Sequence, residues 1–232
     1  MSTQAEADGL NSIYRTAASF VASRAGLEPR GLLTAEQLRV CSEEKVGGLL
    51  VVGSYVPKTT AQLKSLLEGS DIFPLELSVK DIIEAVRSVK DANSINSQLR
   101  SIIMNSANMI DKAILSGEHV VMYTTREFLH GTTLTEAAAV SDTLTEIVKN
   151  IKPKPAFLVA KGGITSHDIA FKSMNISTAR VIGQIEPGVP VWKVNEQTEG
   201  PEYKSPEGFY LGSLGSSEII EFSFNKTLFY FS

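Results

Sequence analysis

The chain has 232 residues, 43% hydrophobic and 21% charged, with a net charge of -4 and an isoelectric point near 5.5. That length and make-up bury a sizeable core and exclude a disordered chain. The acidic balance argues against a nucleic-acid partner, and no apolar run reaches the roughly 18 residues of a membrane span, so a cytoplasmic protein is expected.

The first predicted element is a helix over Leu10–Arg24, where Leu10, Ile13, Tyr14, Ala17, Phe20 and Val21 recur at helical spacing, with Gly26 as its stop. No basic, apolar leader precedes it. Cys41, the single cysteine, reads as a small buried apolar residue; it has no disulfide partner, and no Cys/His pair has metal-ligand spacing. Val46–Ser54, VGGLLVVGS, predicts a buried strand running into a glycine turn, and Lys58–Glu68 predicts a helix with Leu63, Leu66 and Leu67 on one side.

The alternation continues along the chain. Ile72–Leu77 reads as a strand, Ser78–Ser116 as mostly helical, and His119–Thr124 as a third strand. A helix follows over Leu134–Val148, starting near Thr132 or Thr133. Pro155–Ala160 is a fourth strand, Ser166–Met174 a helix, and Arg180–Gly183 a short strand. The Pro- and Gly-rich segment after Gly183 reads as a long loop or a pair of hairpin strands, and Phe209–Leu211 as a last strand ending in a glycine turn. Strands alternating with helices predict an α/β fold, a mostly parallel sheet with helices on both faces, in a single domain over residues 1–232.

In such sheets ligands gather at the carboxyl ends of the strands. That rule selects Gly53-Ser54, the stretch KGGITSHD (Lys161–Asp168) and Gly212–Gly215. Glycine lets a backbone approach a phosphate closely, and the helix that follows offers unsatisfied N–H groups. Gly162 and Gly163 would make the middle turn, with Thr165 or Ser166 as helix cap or phosphate contact; a plain strand-to-helix turn fits the same residues. Neither G-x-x-x-x-G-K-[ST] nor G-x-G-x-x-G occurs, which weakens a dehydrogenase reading. Ser166, His167 and Asp168 cannot form a triad, because consecutive helical residues point about 100° apart. Asp168 reads as an offset to the helix dipole, or as a carboxylate for Mg²⁺ or general-base work. His119 and His130 read as ordinary rim residues, and Trp192 as a structural anchor or a stacking platform.

Four stretches in order carry a resemblance: YRTAASFVASRAG (Tyr14–Gly26), GLLVVGSYVPKTTAQL (Gly48–Leu63), KGGITSHDIA (Lys161–Ala170) and VIGQIEPGVPVW (Val181–Trp192). Over roughly residues 14–220 the chain resembles the C-terminal, nucleotide-binding domain of the four-carbon acid sugar kinase family, formerly a domain of unknown function. The resemblance implies binding of ATP with Mg²⁺, and transfer of its γ-phosphoryl to the terminal hydroxyl of threonate, erythronate or 3-oxo-tetronate types of acid. It implies ATP contacts at Ser54, Gly162, Gly163, Ile164, Thr165, Ser166, Gly212 and Gly215 and assigns no protein metal ligand; the catalytic residue is left unknown, with Asp168 the candidate from the chain itself.

Three departures accompany it. Many members carry Asp or Glu where this chain has Ile164; the late glycine motif has Tyr210 and Leu211 where Lys and Ser are common; and FNKTLFYFS (Phe224–Ser232) lacks the usual helical pattern. Nothing here resembles the family's N-terminal acid-sugar domain, so the acid sugar is expected as a partner only through a separate substrate domain. A non-catalytic nucleotide-binding module or fragment is the alternative, and a homo-oligomer is left open.

Overall fold

The computed structural model describes residues 2–11, 13–16, 18–28, 31–34, 37, 46–53, 56–88, 97–125, 131–186, 189–194 and 210–214. Two compact units divide the chain, Met1–Gly31 and Leu32–Ser232. The first contains helices α1 (Ser2–Ala7) and α2 (Ala18–Arg24). Glu6 joins them, accepting a hydrogen bond from Tyr14 Oη at 2.5 Å and pairing with Arg24. The helix expected over Leu10–Arg24 is therefore confined to its second half. Residues 10, 11 and 13–16 are not helical, and Ile13 is fully exposed. Helical spacing without an apolar surface to bury against does not hold a helix in water.

The second unit is built on a sheet. Its elements are β1 (Leu49–Val52), α3 (Pro57–Gly69), β2 (Phe73–Leu77), α4 (Val79–Arg87), α5 (Ser97–Leu115), β3 (Val120–Thr124), α6 (Leu134–Lys149), β4 (Leu158–Lys161), α7 (Gly163–Asp168) with a π-turn over Ile169–Ser173, β5 (Ala179–Glu186), β6 (Val189–Val194) and β7 (Tyr210–Leu214). Among the described residues these strands form one seven-stranded sheet, in the order β2-β3-β1-β4-β7-β6-β5. The pairs from β2 through β7 are parallel, and β6 runs antiparallel to both β7 and β5. The expected α/β architecture with a mostly parallel sheet is thus what the chain adopts, and the Pro-rich segment supplies part of a hairpin.

The central strand explains the apolar run LLVV. All four residues of β1 are buried, alternately on opposite faces. Leu49 and Val51 join Ile82 of α4, Ile110 and Ile114 of α5, and Leu144 and Ile147 of α6. Leu50 and Val52 join Leu63 and Leu66 of α3 on the other face. Helices therefore cover both sides, and removing any of these side chains from water contributes about 1.5–3 kcal/mol. Trp192 of β6 is partly buried against the first cluster, as an anchor would be.

The starts of α4 and α6, both on the first face, are capped by the chain itself. Ser78 Oγ accepts from Asp81 N–H at the start of α4. At α6, Thr133 and Glu136 form a capping box, with Glu136 Oε2 accepting from Thr133 N–H at 2.7 Å. Glu136 Oε1 also accepts from Arg87 Nε at 2.6 Å, tying α6 to α4. The Arg87 hydrogen bond first, then that from the Thr133 backbone, lowers the Glu136 carboxyl from 4.5 to about 2. A depressed carboxyl stabilises the fold above its unfolded value and loses that contribution as pH falls through the folded one. Urea midpoints of Glu136→Gln should lie below wild type at neutral pH, with the gap closing between pH about 4.5 and about 2. A gap unchanged across that window would contradict the pairing.

Candidate functional site

The carboxyl ends of β1 and β4 lie side by side, with Val52 in register with Lys161. Gly53 follows one strand and Gly162 the other. The chain then leaves the two strands on opposite faces. Leu63 and Leu66 of α3 pack with Leu50 and Val52, whereas Ile169 and Ala170, just beyond α7, pack with Leu49, Val51, Leu158 and Ala160. Departure in opposite directions opens a crevice between β1 and β4, the switch point at which open α/β sheets take ligands.

Two glycines shape the floor of that crevice. Gly162 has φ 106° and ψ 144°, a conformation nearly reserved for glycine, and it is the N-cap of α7. At Gly53, an added Cβ would stand 2.8 Å from Thr165 Oγ1 and 3.2 Å from Leu144 Cδ1. The same Thr165 hydroxyl lies 3.7 Å from the Cβ position of Gly162. Thr165 thus sits between the two glycine turns and brings them together.

The helix starts here differ from those of α4 and α6. Val56, the N-cap of α3, makes no side-chain cap hydrogen bond, Pro57 occupies its first turn, and Gly162 has no side chain to cap α7. The first N–H groups of a helix have no intrahelical acceptor, and together they carry partial positive charge. Gly163 and Ile164 are exposed, Ile164 at 77%, and Thr165 is half-buried. Backbone donors therefore line an open edge.

Several expected residues have other positions or duties. Neither Thr165 nor Ser166 is the cap, because the positive φ of Gly162 starts the helix three residues earlier than its Ser and Thr predict. Ser166 is buried, with its hydroxyl within donating distance of the Ala160 and Gly162 carbonyls at 3.0 and 2.8 Å. Its N–H also bonds Gly162 O, so Ser166 braces the turn. The early start likewise places Asp168 at the end of α7 instead of in its first turn, where it would have offset the dipole. Its Oδ2 accepts from Ser141 Oγ at 3.3 Å and Lys172 Nζ at 3.2 Å, which gives the carboxylate a structural occupation between α7 and α6. Gly212 lies within β7, paired with Val159 and Val191, and not in a turn beyond the strand. Ser54 and Gly215, like Cys41 and His130, lie outside the described residues.

The residues that sequence reading missed are cations. Lys161 ends β4 and is buried. Burial, and then the charge of Lys58 on α3, push its ammonium below the ordinary value of 10.5. Its signal was present, a lysine closing an apolar strand immediately before two glycines. Among the described residues no group of three or more His, Cys, Asp or Glu stands together as a metal site, and no helix is long and apolar enough to cross a membrane.

Comparison with known proteins gives this geometry a setting. The chain is similar to the structure of a putative tRNA synthase from Salmonella typhimurium LT2, with 16% identity and a TM-score of 0.55 over 81% of this chain and 41% of that one. It is similar to a domain of unknown function (DUF1537) from Bordetella bronchiseptica, a domain-swapped dimer with bound citrate, with 15% identity and a TM-score of 0.54 over 77% of this chain and 40% of that one. At such identities the likeness is one of fold, and the chain spans about two fifths of the length of these solved relatives. No curated protein matches it. The nucleotide-binding C-terminal domain family matches residues 49–206, more than half of the chain and all of the β1–β4 crevice. The chain belongs to that family of nucleotide-binding C-terminal domains.

Proposed function

We propose that the crevice between β1 and β4 binds ATP, and that the chain is the nucleotide half of a kinase for four-carbon acid sugars. The observation carrying this reading is the convergence of two glycine turns and two helix starts without side-chain caps at the switch point of a nucleotide-binding family member. Backbone N–H groups of Gly163, Ile164 and Thr165 would hold phosphate oxygens, and Ser54, directly after Gly53, would contact the nucleotide. The γ-phosphoryl would pass to a terminal hydroxyl of the acid sugar, a step that depends on holding donor and acceptor in line. A separate substrate domain would present that acceptor, in keeping with the greater length of the solved relatives.

Mg²⁺ would neutralise charge on the phosphates during transfer. The described residues do not form a site for it: Ile164 offers no ligand at the glycine turn, and Asp168 is engaged by Lys172. That same Ile164, 77% exposed, favours a second reading, a nucleotide-binding module that does not itself catalyse transfer.

Calorimetric titration with ATP and ADP tests the shared premise, with binding expected at millimolar concentration or below; no heat from either nucleotide would remove both readings. A coupled ADP-release assay over a panel of tetronates then separates them. Turnover by this chain alone excludes the non-catalytic module. Binding without turnover, relieved by adding an acid-sugar domain, supports the two-part kinase.

A further inference from the structure

Helix α5 turns an uncharged stripe to solvent. Ser101, Met104, Asn105, Asn108 and Met109 recur at steps of three and four residues, so they lie along one side of the helix. All are exposed, Met104 at 37% and Met109 at 44%. The other side, with Ala107, Ile110 and Ile114, is buried in the first cluster. Arg100 and Lys112 bracket the stripe. The one acidic residue of α5, Asp111, is buried and accepts from Lys152 N–H at 3.0 Å.

The neighbouring α4 shows what a solvated helix face looks like in this chain. Every exposed position within it is charged: Lys80, Asp81, Glu84 and Arg87. Both helices pack on the same side of the sheet, so their outward faces differ for a reason other than layer. Charged residues are depleted, and methionine enriched, where one protein surface meets another. Methionine is unbranched and adapts its shape to a partner. An uncharged face also meets a copy of itself without like-charge repulsion, whereas a partner selected by charge finds nothing on the stripe to pair with.

We propose that α5 pairs antiparallel with α5 of a second copy of this chain, about a two-fold axis through Asn105. A two-fold interface presents the same patch from both sides. An axis there sets the Asn105 amide against its own copy, and an amide both donates and accepts. It also sets Met109 against Ser101 of the partner subunit, large against small, and Lys112 against Gln98 of the partner subunit, away from a like charge. With 19 residues α5 is about 28 Å long, close to the width of a patch burying about 800 Å² per partner, the standard size of a stable interface. The helix feeds the amino end of β3 and runs against the parallel strands. Antiparallel pairing therefore points the two β1–β4 crevices to opposite ends of the dimer and leaves both open.

Analytical ultracentrifugation tests this on the full chain, as wild type, Asn105→Glu and Asn105→Lys, with Glu84→Lys on α4 as control. Wild type and Glu84→Lys should dimerise alike. Each Asn105 variant alone brings two like charges together at the axis, which should weaken dimerisation by about a hundredfold or more. An equimolar mixture of the two should regain dimers, because opposite charges then meet there. Asn105 is exposed, so both variants should keep the wild-type circular dichroism, which separates lost pairing from lost folding. A wild type that stays monomeric to about 0.1 mM overturns the proposal and leaves the stripe to a different partner. Dimers that survive both Asn105 variants overturn it too, by placing the contact on another face. So does a mixture no more dimeric than its separate components.

Discussion

Gly162→Ala is expected to abolish ATP binding and to lower stability by about 1–3 kcal/mol, the usual cost of holding a non-glycine residue in such a backbone region. Space is not the difficulty, because the nearest atom to the added methyl is Thr165 Oγ1 at 3.7 Å, an ordinary contact. The cost comes from φ 106°, which an L side chain rarely adopts. To escape it the backbone must rotate, and the Gly162 carbonyl then abandons Ser166, which now bonds it through N–H at 2.9 Å and Oγ at 2.8 Å. The first N–H groups of α7 swing with the same rotation, so the phosphate donors are lost together with the brace. Gly163→Ala is the control. Its Cβ meets nothing within 4 Å and its φ is not positive, so it should unfold at nearly the wild-type urea concentration. Urea denaturation and ATP calorimetry on the two variants decide the matter; a Gly162→Ala protein that binds ATP normally would remove Gly162 from the site.

The fold was legible where burial imposed a pattern on the chain. A central parallel strand is covered on both sides, so LLVV of β1 reads as a continuous apolar run, and Thr133 with Glu136 announces the start of α6. Legibility failed where backbone geometry or distant partners decide. The helix after β4 begins at the torsion angle of Gly162, and no side-chain cap announces that; Ser166 and Asp168 were displaced from their expected roles as a result. Gly212 resembles a turn residue, yet its neighbours Val159 and Val191 on flanking strands hold it in the ladder. The spacing of Leu10, Ile13 and Tyr14 is helical, but Ile13 meets no apolar surface. Lys161 was overlooked for the converse reason. Lysine in a sequence reads as solvated, and only the sheet shows that this one is enclosed.

At the amino end of β1, Gly48→Ala should be strongly destabilising. A Cβ at Gly48 would lie 2.2 Å from Phe157 Cζ and 2.3 Å from its Cε1. Phe157 is only 1% exposed, and its ring packs on His119 at a centroid distance of 5.2 Å, so it cannot simply swing aside. Overpacking a tight core costs about 1–3 kcal/mol, occasionally more. Here a hydrogen bond is also at stake, because Gly48 N–H donates to His119 Nδ1 at 2.8 Å. Displacing the ring displaces the imidazole that accepts it. That bond requires a neutral Nδ1, and burial already lowers the His119 value from the ordinary 6.5. A histidine held below its unfolded value stabilises the fold above that value, and the contribution disappears as pH falls through the folded one. Wild type should therefore lose stability as pH drops below about 6.5. Gly48→Ala should start lower and fall less steeply, having already lost the bond that protonation breaks. Adding Phe157→Leu to Gly48→Ala removes the clashing ring atoms, so the double variant should be more stable than the sum of the two single losses predicts. Urea denaturation of the four proteins across pH reads both effects; additive losses, or a single variant as stable as wild type, would show that Phe157 does not confine Gly48.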